Sequence, residues 1–215
     1  MLSRVVRRAQ RATMIDTVVV ATTVEPTDDA IVSESEHLMV PVFRGSERDV
    51  LDRYYQAAIA FEAEAVVRIT SDCPLIEPAV VDHVIRVFIR GMADYASNSL
   101  VRTYPRGLDT EVMTLDALTR AWREAIEPYQ RAHVTPYIYQ NPELFHLLPV
   151  VGEDDYSNHR WTVDTPEDLE FVRAVYDRLG DTDFFGWRDV LRLLEENPDL
   201  NEINRHIPQK NLQEG

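Results

Sequence analysis

Short β-branched segments alternate with helix-like segments along the first half of this 215-residue chain. Runs rich in valine and threonine favour strands, and the amphipathic stretches between them favour helices. This alternation predicts a mostly parallel sheet with helices on both faces, which is an α/β fold. We predict strands over residues 17–23, 38–43 and 63–70, and helices over residues 2–12, 28–37, 49–62 and 78–91.

The second half has a more mixed pattern that includes one well-marked helix. Thr165 suits the N-cap of this helix, Pro166 its first position and Gly180 its end. We also predict helices over residues 115–126, 128–140 and 187–198, and strands over residues 93–98, 109–114, 144–150 and 159–163. We expect one α/β domain over residues 1–180, with a C-terminal helix and tail at residues 181–215 packed on it.

Charge and cysteine content exclude several classes of protein. A net charge of −15 argues against a nucleic-acid binder, because it repels phosphate backbones. No apolar run approaches the ~20 residues of a membrane-spanning helix, and none follows the basic N-terminus. Cys73 is the single cysteine, so we expect no intrachain disulfide and a cytoplasmic location. Arginine must supply any basic contact to phosphate unless Lys210, the single lysine, folds back.

Two aspartates follow two predicted strands. Asp72 comes after the strand at 63–70, and Asp164 comes after the strand at 159–163. Ligands of open α/β sheets bind outside the carboxyl ends of the strands, so both carboxylates are expected at one sheet edge. Such a pair fits Mg²⁺, which is held by one or two carboxylates together with phosphates and waters. Taken alone, Asp72 fits a turn as well as a metal site, and for Asp164 a turn or helix cap is the favoured alternative.

Gly45 and Ser46 precede a predicted helix, and Ser46 and Asp49 have the spacing of a capping box. Backbone N–H groups at such a helix start can bind a phosphate or a base edge, although a plain capped helix is the favoured alternative.

A polar loop entering a strand carries Arg106, Asp109 and Glu111. His133 lies on a predicted helix, where it either lines a pocket or packs in the core.

Seven segments in order carry a resemblance to a known family: VVVATTVEPTDDAIV, FRGSERDVLDRYYQAA, VVRITSDCPLIEPAVVDHVI, YPRGLDTEVMTLDAL, HVTPYIYQNPELF, RWTVDTPEDLEFVRAVYDRL and VLRLLEENPDLNEIN. Together they resemble the cytidylyltransferase family of CMP-sugar synthetases, in particular the branch of spore coat polysaccharide biosynthesis protein F. The resemblance extends over nearly the whole chain.

The resemblance implies a Rossmann-like nucleotide-diphospho-sugar transferase fold, a homodimer and the transfer of CMP from CTP to an acidic sugar with Mg²⁺. The pathway would be surface polysaccharide or glycan biosynthesis. The implied roles are metal binding and catalysis for Asp72 and Asp164, nucleotide binding for Gly45, Ser46, Arg68 and Ser71, and sugar binding for Arg106, Asp109, Glu111 and His133.

This sequence departs from the family pattern at its start. Family members begin with a strand and a loop containing glycine, arginine and lysine that surrounds the triphosphate, whereas this sequence starts at the following helix. We therefore expect the edges of the neighbouring strands to be exposed. Two alternatives remain: a non-catalytic nucleotide- or sugar-binding relative, and a glycosyltransferase on a related fold. The second needs an Asp-x-Asp metal motif, and Asp181-Thr182-Asp183 lies in a predicted interhelical loop.

Overall fold

The computed structural model describes residues 1–209 of the chain. Six strands are present in this part: β1 Val20–Thr23, β2 Val42–Gly45, β3 Ala65–Arg68, β4 Tyr95–Ser97, β5 Glu111–Thr114 and β6 Leu147–Pro149. The helices are α1 Leu2–Ala9, α2 Asp29–His37, α3 Val50–Ala60, α4 Pro78–Gly91, α5 Leu115–Glu124, α6 Pro128–His133, α7 Pro136–Tyr139, α8 Pro166–Leu179, α9 Trp187–Glu196 and α10 Asp199–Glu202. Lys210 lies outside the described residues.

The strands form a four-stranded sheet in the order β3-β5-β4-β6 and a two-stranded sheet of β1 and β2. The β1–β2 and β4–β6 pairs are parallel, whereas β5 runs antiparallel to both β3 and β4. Parallel neighbours need a long crossover, usually a helix. Because the connection from β4 to β5 contains no helix, β5 enters between β3 and β4 in the opposite direction.

Helices cover both faces of the four-stranded sheet, as the sequence predicted. Tyr95 and Met113 pack in a cluster with residues of α3, α5 and α7. The adjacent residues Ala96 and Val112 pack in another cluster with residues of α1 and α4. Successive residues of a strand point to opposite faces, so these two clusters lie on opposite sides of the sheet. The α/β class is confirmed, but the four-stranded sheet is mixed rather than mostly parallel.

The marginal strands of the two sheets, β1, β2, β3 and β6, each have one edge without a partner within the described residues. β1 pairs with β2 alone, and β3 pairs with β5 alone. Val20, Val66 and Val67 are only partly buried, although valines in a central strand are normally buried on both faces. Every open sheet has edge strands, so pairing of a further strand with β1 and β3 stays a prediction.

Several predicted elements differ from the structure in their bounds, among them the following three. Residues 159–163 form a single bridge between Arg160 and Arg106 rather than a strand, because the partner segment turns away at Gly107, whose φ is 101°. The predicted helix at 128–140 is interrupted at Val134, where φ is 72° and Pro136 starts a new turn. The second strand begins at Val42 rather than at residue 38.

The helices with clear capping signals were predicted at the correct bounds. In α8 the hydroxyl of Thr165 accepts a hydrogen bond from the backbone N–H of Asp168, and Gly180 ends the helix at a φ of 91°. α4 extends from Pro78 to Gly91, as the sequence indicated.

The C-terminal helices α9 and α10 pack on α8 in a third cluster around Trp161. None of the helices within residues 1–209 is long and apolar enough to cross a membrane.

Candidate active site

A cavity of about 120 Å³ lies beyond the end of β3 and contains four of the predicted site residues. Its lining is formed by Thr70, Asp72, Cys73, Arg106, Gly107, Asp109, Thr162, Asp164 and Gln209. A larger cavity of about 290 Å³, between residues 158–161 and 198–205, contains none of the predicted residues. We place the site at the smaller cavity, because charged groups of both signs converge there and a polar site of this kind suits a phosphorylated ligand.

Asp72 lies in the turn that follows β3, where the segment at 162–163 fixes it. Its backbone carbonyl accepts a hydrogen bond from the N–H of Val163 at 2.9 Å. Its Oδ2 accepts a hydrogen bond from the hydroxyl of Thr162 at 3.1 Å. These contacts bring the 162–164 segment to the end of β3, although no strand forms there, and so place Asp164 beside the same cavity.

Asp164 is held by two residues that the sequence analysis did not select, Arg160 and Asp168. Nη2 of Arg160 donates to Oδ2 of Asp164 at 2.5 Å. The fully buried Asp168 accepts hydrogen bonds from the N–H groups of Asp164 and Thr165 at 3.0 and 3.1 Å. Burial alone raises the pKa of Asp168, but the hydrogen bonds from Arg160 and from the Asp164 N–H outweigh it and lower this pKa. The loop carrying Asp164 is thus anchored to a buried carboxylate.

Arg106 and Asp109 also line the cavity. Arg102, a further residue that sequence reasoning missed, donates two hydrogen bonds to Asp109 at 2.5 and 2.8 Å. Arg106 makes no salt bridge with any carboxylate of the described residues. Burial, followed by the neighbouring cation Arg102, lowers the pKa of Arg106. The cavity therefore contains one guanidinium that lacks a counter-ion from residues 1–209.

Glu111 and Arg68 lie apart from this cavity in a buried network. Glu111, paired with Arg68 across β3 and β5, accepts hydrogen bonds from Arg68, from the Tyr95 hydroxyl at 2.5 Å and from the Thr135 hydroxyl at 2.7 Å. Burial opposes the charge of Arg68, but the Glu111 carboxylate raises the pKa of Arg68 overall. Burial, followed by Glu111, raises the pKa of Tyr95 well above its ordinary value.

The remaining predicted residues do not line the cavity either. Gly45 ends β2, and the hydroxyl of Ser46 accepts a hydrogen bond from the N–H of Asp49 at 3.0 Å. Asp49 itself is the N-cap of α3, so Ser46 is not the cap that its spacing suggested. Ser71 is exposed beside Asp72, and His133 is the last residue of α6.

The carboxylates of the cavity determine which kind of metal site it could form. Within residues 1–209, no group of three or more histidine, cysteine, aspartate or glutamate side chains is arranged to hold a metal. Two carboxylates, Asp72 and Asp164, do line one cavity. This set fits Mg²⁺ that completes its coordination with phosphate oxygens and waters, and does not fit a metal held by protein alone.

The two aspartates of the Asp-x-Asp motif that a glycosyltransferase would use, Asp181 and Asp183, have structural roles. Asp183 is mostly buried and accepts hydrogen bonds from Arg4 at 3.2 Å and from the Tyr176 hydroxyl at 3.1 Å. Asp181 also pairs with Arg4. Both aspartates fix α1 to the loop before α9 and lie outside the lining of the candidate site.

Comparison with known proteins agrees with the resemblance noted in the sequence. The profile of the cytidylyltransferase family matches residues 1–199. An uncharacterised protein of Methanocaldococcus jannaschii is 36% identical over 215 residues, which cover 99% of this chain and 87% of that protein. The spore coat polysaccharide biosynthesis protein SpsF of Bacillus subtilis is 30% identical over 187 residues, covering 86% of this chain and 77% of that protein.

The same relationship is found among solved structures. A cytidylyltransferase from Leptospira borgpetersenii superposes with a TM-score of 0.90 at 31% identity, covering 98% of this chain and 87% of that one. The Rossmann-like nucleotidyltransferase fold predicted from the sequence is therefore confirmed. The chain belongs to the cytidylyltransferase family of nucleotidyltransferases, which use CTP.

Proposed function

We propose that this protein transfers the CMP group of CTP to an acidic sugar, giving a CMP-sugar and pyrophosphate. The observation that carries the proposal is the convergence of Asp72, Asp164 and Arg106 on one cavity at the end of β3. Two carboxylates suit a metal-bound triphosphate, and the guanidinium suits an anionic acceptor. The pathway that we propose is surface polysaccharide or glycan biosynthesis, since the relative SpsF carries spore coat polysaccharide biosynthesis in its name.

In the proposed reaction the anomeric hydroxyl of the sugar attacks the α-phosphorus of CTP. A new P–O bond forms, the bond from the α-phosphorus to pyrophosphate breaks, and the hydroxyl proton passes to solvent. Transfers of this type depend on positioning and on charge neutralisation more than on covalent help from the protein.

Asp72 and Asp164 are the residues that we propose to hold Mg²⁺ against the triphosphate. The ion supplies charge neutralisation at the α-phosphate and alignment of the attacking oxygen. The chain itself fixes the two carboxylates: Thr162 donates a hydrogen bond to Asp72, and Arg160 donates one to Asp164.

Arg106 is our proposed contact for the negative charge of the sugar. A partly buried guanidinium without a salt bridge within residues 1–209 favours an anionic ligand, because an uncompensated buried charge is costly. Asp109, fixed by Arg102, would accept hydrogen bonds from sugar hydroxyls. Glu111 and His133 remain proposed sugar residues, although neither lines the cavity.

The nucleotide would extend towards β2, across the carboxyl ends of the strands. Gly45 and Ser46, which end β2, are our proposed contacts for the cytosine or ribose, and Arg68 and Ser71 would flank the nucleotide. For Arg68 this role is indirect, since its guanidinium is paired with Glu111. We further propose that the protein acts as a homodimer in the cytoplasm.

The proposal is tested by measuring pyrophosphate release from CTP and Mg²⁺ with a panel of carboxylated sugars, using the full-length protein. We expect Asp72→Asn and Asp164→Asn each to lower kcat by about 100-fold or more, since metal-type charge stabilisation amounts to several kcal/mol and each ~1.4 kcal/mol is tenfold in rate. Asp116→Asn is the matched control, because Asp116 is exposed on α5 outside the cavity, and it should keep wild-type activity.

Full activity in both site variants would contradict the metal assignment. Calorimetric binding of CTP without turnover of any sugar would instead favour the non-catalytic alternative.

A further inference from the structure

Arg160 connects the candidate metal ligand Asp164 to a buried anchor. Its Nη2 donates to Oδ2 of Asp164 at 2.5 Å and also to Oδ2 of Asp168 at 2.8 Å. Its Nε donates to Oδ1 of Asp168 at 2.9 Å. The Arg160 side chain is only 8% exposed, and that of Asp168 is fully buried. One guanidinium therefore spans an internal carboxylate and a carboxylate of the cavity.

The C-terminal segment fixes this arrangement further. Nδ2 of Asn204 donates both to the backbone carbonyl of Arg160 and to Oδ1 of Asp168, each at 2.9 Å. Oε1 of Gln209 accepts from Nη1 of Arg160 at 2.8 Å. Together with Asp168, these contacts leave the guanidinium little freedom to move when a ligand arrives at Asp164.

A fixed donor on one oxygen of Asp164 defines the direction of the whole carboxylate. Hydrogen bonds of this kind to metal-binding carboxylates orient the ligand, and their loss typically weakens metal binding or activity by about 10–100-fold. Arg160 also places a positive charge next to Asp164, and this charge offsets the repulsion between Asp164 and Asp72. A mere competitor for Asp164 would have the opposite effect, because its removal would strengthen metal binding.

We propose that Arg160, held by Asp168, is a positioning residue that orients Asp164 for the metal-bound nucleotide. The inference rests on the metal role of Asp164 in the proposed function. In this proposal the Arg160–Asp168 pair influences the metal-dependent binding of CTP. The segment after α10 contributes through Asn204, which contacts both members of the pair.

The test is calorimetric titration of CTP into the full-length protein, with Mn²⁺ and separately with EDTA. The ratio of the two affinities measures how strongly the metal and CTP are coupled. We expect Arg160→Met and Arg160→Lys to lower this ratio by about 10-fold or more, with a smaller loss for lysine. Lysine keeps a cation near Asp168 but lacks the planar fork that reaches both carboxylates. CTP affinity in EDTA should change little, and in turnover kcat should fall more than the KM for CTP rises.

Arg4→Lys is the matched control. Arg4 also spans two aspartates, Asp181 and Asp183, but lies outside the candidate site. The Arg4→Lys variant should leave the ratio of the two CTP affinities unchanged, while its Tm changes by about as much as that of Arg160→Lys. If Arg160→Met does not fold, the titration is carried out with Arg160→Lys.

A folded Arg160→Lys variant whose affinity ratio equals or exceeds that of the wild type would overturn the role of Arg160. The proposed function would not be affected by that result. Wild-type protein that binds CTP equally with Mn²⁺ and with EDTA would remove the metal role of Asp164 and the proposal with it. The sugar specificity in the proposed function is tested separately, since no sugar is present in this titration.

Discussion

Replacing Glu111 by glutamine separates a structural role of this residue from a role in sugar binding. The side chain of Glu111 is 9% exposed and that of its partner Arg68 is 17% exposed, so the variant leaves a guanidinium almost buried without its counter-ion. Removing one member of a buried ion pair costs about 3–5 kcal/mol. A chain of this length loses about 2–4 °C of Tm per kcal/mol, so the expected decrease is about 6–20 °C. Glutamine still offers an oxygen to the hydroxyls of Tyr95 and Thr135.

Urea unfolding and thermal unfolding measure this cost. Glu124→Gln is the control, because Glu124 is 44% exposed and also pairs with an arginine. It should change the free energy of unfolding by less than about 1 kcal/mol.

The double variant Arg68→Met/Glu111→Gln should be more stable than the sum of the two single variants predicts, by about 1–3 kcal/mol, because both charges are then absent. Additive losses, or a Glu111→Gln variant of wild-type stability whose KM for sugar is raised, would refute the structural interpretation of Glu111.

Three further predictions concern other parts of the chain. Arg106→Gln should raise the KM for a carboxylated sugar by about 10–100-fold, because it removes a charged hydrogen bond of ~1.5–3 kcal/mol. The KM for CTP should stay unchanged. Equal effects on both KM values would contradict the assignment of Arg106 to the sugar. Gly107→Ala should lower the free energy of unfolding by about 2–4 kcal/mol, because a Cβ at its φ of 101° would lie 2.6 Å from the backbone of Trp161. Gly180→Ala, at a φ of 91° with no atom within 4 Å, should cost only about 1 kcal/mol; equal losses would refute the steric argument. Hydrogen bonds from Thr23 and Thr22 lower the pKa of Asp28 from 3.8 to about 2. The contribution of the Asp28 carboxylate to stability should therefore be present above pH 3.8 and be lost as the pH falls towards 2. An NMR titration midpoint of Asp28 near 3.8 would contradict this.

Local signals in the sequence were sufficient where they act over a few residues. The bounds of α4 and α8 were predictable because proline at the start and glycine at the end determine a helix locally. The direction of β5 was not predictable, since it depends on pairing with β3 and β4 rather than on its own residues.

The site was predictable to a similar extent. Asp72 and Asp164 were identified because both follow apolar segments, and the structure brings them to one cavity. The contribution of Arg160 and Asp168 had no local signal: Asp168 has the pattern of an ordinary first-turn residue, and its partners Arg160 and Asn204 meet only after α8 and α10 pack. Glu111 was grouped with Arg106 by proximity in sequence, whereas its burial depends on Arg68 from β3.

The most direct test of the central claim is ³¹P NMR of CTP incubated with the protein, Mg²⁺ and a carboxylated sugar. We predict that the triphosphate resonances decrease while equal amounts of pyrophosphate and of a new phosphodiester appear, which is the signature of CMP transfer to a hydroxyl. CTP that stays intact with every sugar, or that yields CDP and phosphate instead, would contradict this account.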